Sequence, residues 1–240
     1  MVQVTECPTK GTPPSPPISL RFRFRKVGRL MYVSHLDLVR TFGKIVVRSG
    51  LPLWYTEGFN PKPKMVFSPP LSIGAQSECE YLDLRLTERV DPAAALTAMN
   101  ACVTDELRML DAYYPTCKLT DIRYMSYDVH IHTLGASEEL AARCERILLA
   151  EDVPFVKTGK GGEKTVNLRP MIEELSVRLT GEELHMQALL DADSATFLNP
   201  ERLITVLRER TGILSGADLR REWVSIRRTG AFRADRTPFV

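Results

Sequence analysis

The run 18-ISLRFRFRKV-27 alternates without a break: Ile18, Leu20, Phe22 and Phe24 fall on one side, and Ser19, Arg21, Arg23 and Arg25 on the other. A period of two belongs to a strand with one buried face. The apolar side needs a cover, and the next segment supplies one. Ser34 can cap a helix with Asp37 three residues on, and the helix then runs to about Ser49 and stops at Gly50, with Pro52 beyond. Leu36, Val39, Phe42 and Val46 are expected to face the core, while Arg40, Lys44 and Arg48, four apart, form a basic stripe.

Downstream, PLWYT (52–56) reads as a short strand. EGFNPKPKMVFSPPLSIGAQ (57–76) reads as a proline-stiffened turn, a short MVF strand and a rigid bend. ECEYLDLRL (78–86) alternates as a strand, Asp91–Pro92 opens a helix reaching about residue 107, and MLDAYYP (109–115) closes the unit. The same order recurs: a strand at 121–132, a helix from Ser137, a hairpin around GKGG, two strands across 174–190, a helix from Pro200 and a strand at 221–228. Strand–helix–strands–helix–strand is the split βαβ order of ferredoxin-like domains. The expected fold class is therefore α+β, with two tandem ferredoxin-like domains on antiparallel sheets: a Pro-rich tail at 1–17, domain 1 at 18–118 and domain 2 at 119–240.

The chain has 240 residues and a formal net charge of +2, a near-zero total that taken alone argues against nucleic acid. Position changes that. Residues 18–68 hold ten bases against two acids, or +8; residues 69–240 carry −6 and residues 1–17 sum to zero. A basic segment on an acidic remainder points to nucleic acid, or else to a solvated face or a partner surface. No stretch approaches the ~18–20 apolar residues of a membrane span, and the N-terminus lacks the apolar core of a signal peptide. The five cysteines, odd in number and without C-x-x-C spacing, suit a reducing cytoplasm.

Residues 21–86 carry a resemblance through FRF-K-G, the SHLD helix start, GFNPKPK, the SPPL-IG bend and the E-x-L-D-L strand. This pattern resembles the radical-SAM-linked family, a bacterial domain of unknown function fused to or encoded beside radical SAM proteins. It is similar, more distantly, to the tandem ferredoxin-like proteins of CRISPR RNA processing. The second half matches more loosely, through VNLRPMIEEL. The resemblance implies a separate radical SAM enzyme as partner, since C-x-x-x-C-x-x-C is absent here. The glycine-rich loop of the CRISPR proteins is reduced to TGILSG (211–216).

Arg21, Arg23 and Arg25 on an open sheet face, Arg40 and Lys44 on the helix, and Phe59, Lys62 and Lys64 on the rigid loop are the candidate RNA-binding residues. Guanidinium and ammonium groups hold phosphate, and an exposed ring can stack on a base. The competing reading is that the arginines keep a strand soluble and that Phe59 anchors its loop in the core. Aromatic readout is disfavoured on the first strand, whose rings have the wrong parity for an open face. Arg220, Arg221, Arg227 and Arg228 make the last strand basic as well, while Glu78 and Glu80 could balance the basic face.

No catalytic residue is assigned. His35 could serve as a general acid or base, but a histidine in the first turn of a helix is more often structural. No metal site is assigned either: His130 and His132 share a strand face with Asp128 and could hold a divalent ion, though such pairs are common on exposed strands. GKGGEKT (159–165) fails the phosphate-loop order and reads as a hairpin turn. The expected function is a cytoplasmic, non-catalytic RNA-binding module beside a radical SAM enzyme, without a cofactor of its own. The alternatives are an adaptor that docks on that enzyme without RNA, and a metal-independent RNA-cleaving enzyme using His35.

Overall fold

The computed structural model describes residues 16–159, 162–216 and 221–240. Most of the Pro-rich tail, the tip of the GKGG turn and Arg220 lie outside the described residues. The first half runs β1 (Ile18–Lys26), α1 (His35–Arg48), β2 (Met65–Phe67), β3 (Ala75–Leu86), α2 (Pro92–Asn100) and β4 (Met109–Tyr113). The second runs β5 (Tyr124–His132), α3 (Glu138–Leu148), the hairpin β6 (Pro154–Gly159) and β7 (Gly162–Asn167), β8 (Ile172–Thr180), β9 (Glu183–Asp191), α4 (Pro200–Thr211) and β10 (Trp223–Phe232).

Each half has the ferredoxin-like strand order. β4, β1 and β3 lie side by side with β2 beyond β3; β10, β5, β9 and β8 repeat the arrangement. All these pairs are antiparallel. The two halves join through one parallel contact, Ala75–Ser77 of β3 against Ile226–Arg228 of β10, so a single sheet crosses the molecule. β3 can serve both neighbours because it is twelve residues long. Its start pairs with β10, and its end, Leu82–Leu84, pairs with β2.

The helices pack on one side. Leu20, Phe22 and Phe24 of β1 and Leu82, Leu84 and Leu86 of β3 meet Leu38, Phe42, Ile45 and Val46 of α1 and Ala95 and Met99 of α2. Phe42 is fully buried, its ring 4.9 Å from Phe24 and 5.3 Å from Phe67; burying such a ring stabilises the fold by about 1.5–3 kcal/mol. In the second half Met125, Tyr127, Val129 and Ile131 of β5 meet α3 and α4 in the same way. Ser34 caps α1 by accepting the Asp37 N–H at 3.2 Å, and Gly50, at φ +70°, follows its C-terminus where a side chain would be strained.

Four expectations need correction. Leu36 is 59% exposed and Leu38 and Ile45 take the core positions, because the buried face of α1 is rotated from the expected stripe. Residues 52–56 make only isolated bridges, Leu53 to Leu86 and Tyr55 to Pro63, since two prolines limit the ladder. α2 ends at Asn100, whose side chain turns to hold Met109 through its N–H and C=O. β10 begins at Trp223 and runs on to Phe232.

Candidate functional site

With the helices on one side, the residues that alternate with the core positions along each strand line the other. On β5 these are Ser126, Asp128, His130 and His132, half-buried between fully covered neighbours. The ladder sets His185 of β9 beside His130, Gln187 beside Asp128 and Glu183 beside His132. On the other flank β10 sets Trp223 beside His132 and Arg227 beside Asp128. Arg178 of β8 lies next to His185. Trp223, Arg227 and Arg178 are exposed.

These side chains form a connected cluster. The His130 and His185 rings stack at 4.6 Å with 21° between planes, and His132 stacks on Trp223 at 5.7 Å and 11°. Glu183 bridges two imidazoles, 3.3 Å from His130 Nδ1 and 3.7 Å from His132 Nδ1. Asp128 reaches His130 Nε2 at 3.5 Å through one oxygen and contacts His185 Nε2 through the other.

Asp128 also opens onto a cavity of about 690 Å³, lined by Ser126, Ser176, Gln187, Thr229 and Phe232 among others. Across Thr229 and Phe232 lies a second hollow of about 390 Å³ bounded by Arg23, Tyr81, Asp111, Tyr113 and Phe239. The two hollows make a shallow groove over the open side of both halves.

The basic residues read from the sequence do not converge. Arg21 is wholly buried: its guanidinium makes a bidentate pair with Asp83, at 2.6 and 2.9 Å, and donates to the Cys117 carbonyl at 3.0 Å. Phe239 closes over it, with its ring centre 4.8 Å from the guanidinium and its carbonyl accepting from the Tyr81 hydroxyl at 2.9 Å. Arg21 therefore has the expected face, but the chain's last residues cover it, so it does not reach solvent. Arg23 is exposed beside the smaller hollow, and Arg25 is half-buried and donates to the Asp105 carbonyl at 2.6 Å. Arg40, paired with Asp37 at 2.9 Å, and Lys44 are exposed on α1, on the far side of the sheet. A single patch joining strand and helix cations is thus ruled out by the packing of Phe22 and Phe24 against α1.

On the 57–64 loop Phe59, Lys62 and Lys64 all point to solvent, so Phe59 does not anchor its loop. Backbone bonds to Thr56 and Trp54 hold the loop's base. His35 is half-buried, edge-on to Phe67 at 5.8 Å. Burial holds its pKa below 6.5, with Glu80 opposing that shift and Lys26 reinforcing it.

Of the residues singled out, the structure brings together His130, His132 and Asp128. It adds His185, Glu183, Trp223 and Arg178, which sequence reasoning passed over. ELHMQALLD alternates, so His185 and Glu183 were assignable to one face; that this face adjoins His130 depends on strand order.

At the junction of the halves Arg228 is buried against Glu80 at 2.8 Å, and it also meets the Tyr127 hydroxyl and the carbonyls of Pro69 and Pro70. Its charge is structural and is not presented to a ligand. No helix among the described residues is long and apolar enough to cross a membrane.

Residues 19–200 match the model of a family described as "Uncharacterized protein conserved in bacteria (DUF2344)". No curated protein matches the sequence. Among solved structures, a chain from the crystal structure of a Cbf5-Nop10-Gar1 complex is similar over 89% of this chain, with 12% identity and a TM-score of 0.46. The match covers 49% of that chain, so the protein spans about half of its length.

Proposed function

The chain belongs to the bacterial family of uncharacterized proteins DUF2344, and we propose that it binds single-stranded RNA across the open side of its sheet, beside a separate radical SAM enzyme. The observation that carries this reading is the exposed Trp223–His132 stack, with Arg178 and Arg227 exposed on the same face of the sheet. Sheet-borne rings offer a π-face to any base, and neighbouring guanidiniums hold the phosphates between bases. The parity objection raised by β1 applies to the first half only; in the second half the rings lie on the uncovered side. Arg23, across the groove, extends the track. The radical SAM partner is supported by the motif resemblance of residues 21–86 alone.

Filter binding of a single-stranded RNA oligonucleotide across a salt series tests the reading. Trp223→Ala is expected to weaken binding about tenfold, since one base–ring stack contributes ~1–3 kcal/mol. Arg178→Ala with Arg227→Ala should weaken it further and flatten the salt dependence. Binding that is absent at low salt, or unchanged in both variants, refutes it.

A second reading has its own observation. Phe59 is fully exposed, with Tyr55 and Val66 also uncovered near Lys62 and Lys64. A stiff, apolar and basic loop suits an acidic protein surface, as an adaptor would need. Reversing the charge at Lys62 and Lys64 would then abolish co-purification with the radical SAM enzyme in nuclease-treated extract, and RNA affinity would not change.

A further inference from the structure

We propose that Asp128, His130 and His185 form a binding site for one divalent transition-metal ion of the zinc type. Each residue places a ligand atom on the open side of the sheet, and these atoms lie within 4.8 Å of one another. Zinc sits ~2.0–2.2 Å from imidazole nitrogen and carboxylate oxygen, so tetrahedral ligands stand roughly 3.4 Å apart. The His130 Nε2–Asp128 separation of 3.5 Å already fits that spacing. The direct Asp128–His185 contact would give way to the ion by a small side-chain rotation.

The surroundings supply what such a site needs beyond its ligands. Glu183 faces His130 Nδ1 at 3.3 Å, so the nitrogen turned toward the ion is Nε2. A carboxylate behind a ligating imidazole fixes its orientation and raises its basicity. The three ligands stand on two adjacent strands paired in register, His130 opposite His185, which holds the set to the sheet. A three-residue set leaves a fourth position for water or a ligand, and Asp128 itself lines the adjoining cavity with Ser176 and Gln187. Imidazole with carboxylate selects zinc, cobalt, nickel or iron over magnesium or calcium. The site needs no nucleic acid, and it stands independently of the RNA reading.

The test uses the full chain, stripped with chelator and free of RNA, titrated with Zn²⁺ in a calorimeter and with Co²⁺ by visible absorption. One equivalent of each is expected, with Co²⁺ giving d–d bands of four- or five-coordinate geometry. His130→Ala and His185→Ala should each weaken binding by more than tenfold, and Glu183→Gln by about tenfold. Asp128→Asn keeps the side-chain shape and should also weaken binding, and Arg146→Ala, exposed on α3 across the sheet, should leave the affinity unchanged. Each variant's melting midpoint is measured alongside. Failure of the wild-type chain to take up either ion overturns the proposal, and so does full affinity in the His130→Ala, His185→Ala double variant; either outcome would leave the cluster as a hydrogen-bonded network.

Discussion

Replacing Arg228 by Met tests how the halves are held together. Arg228 Nη1 donates to Glu80 at 2.8 Å and to the Pro69 carbonyl at 2.9 Å; Nη2 donates to the Pro70 carbonyl and the Tyr127 hydroxyl, both at 3.0 Å. Both members of the ion pair are almost wholly buried. The methionine would fill much of the volume but leave the Glu80 carboxylate without its main partner. Breaking a buried pair from one side costs about 3–5 kcal/mol. The unfolding entropy of a chain of 240 residues is ~0.5 kcal/mol/K at ~2.1 cal/mol/K per residue. The melting midpoint in calorimetry or far-UV circular dichroism should therefore fall by roughly 6–10 °C. Adding Glu80→Gln should return at least half of that loss, because the orphaned charge is then gone. A fall of under ~2 °C for Arg228→Met alone would mean that the pair contributes little and that the junction rests on the three-residue ladder and its apolar neighbours.

Two further outcomes follow from buried titratable groups. Burial holds the His35 pKa below 6.5, so the unfolded chain binds the proton first as the pH drops; the stability difference is fully present above pH 6.5 and is lost as the pH falls toward the lowered folded value. Wild-type protein should lose more midpoint between pH 7.5 and 5 than His35→Gln does, and equal losses would contradict the assignment. The Cys79 and Cys144 thiols, both pushed up to about 11 by burial, should resist a thiol reagent until the protein unfolds, whereas the half-buried Cys102 and Cys117 react before them. Early labelling of Cys79 in peptide mass spectrometry would show that the β3–β10 join opens in the native state.

The fold was legible where period and punctuation agreed. Phe22 and Phe24 declared the buried side of β1, and Ser34 and Gly50 bounded α1 closely. The core stripe of α1 was less legible, because Leu36 and Leu38 are equally apolar and only the sheet decides which is covered. The site was legible in one strand at a time. Alternation placed Asp128, His130 and His132 together, but register brings in His185, Glu183 and Trp223 from strands roughly 50–90 residues away, and no local pattern records a register. Arg21 shows the same gap: its parity was readable, but Phe239 above it and Asp83 beside it belong to tertiary structure. The +8 of residues 18–68 is physically dispersed: Arg21 and Lys26 are buried, Arg23 is exposed on the open side of the sheet, Arg40 and Lys44 are on α1, and Lys62 and Lys64 are on a loop.

The parallel join between β3 and β10 also has a consequence in time. Its partners are about 150 residues apart in the chain. A ribosome adding ~5–20 residues per second needs ~8–30 s to deliver Arg228 after Ser77. For that interval Ala75–Ser77 is an unpaired edge and Glu80 a carboxylate awaiting its arginine, while the first half's own apolar layer can already close. Unpaired edges recruit other chains. Slow decoding between α2 and β10 should therefore lower the soluble yield of this protein, and supplying residues 119–240 as a separate chain would have to outcompete self-pairing at that edge.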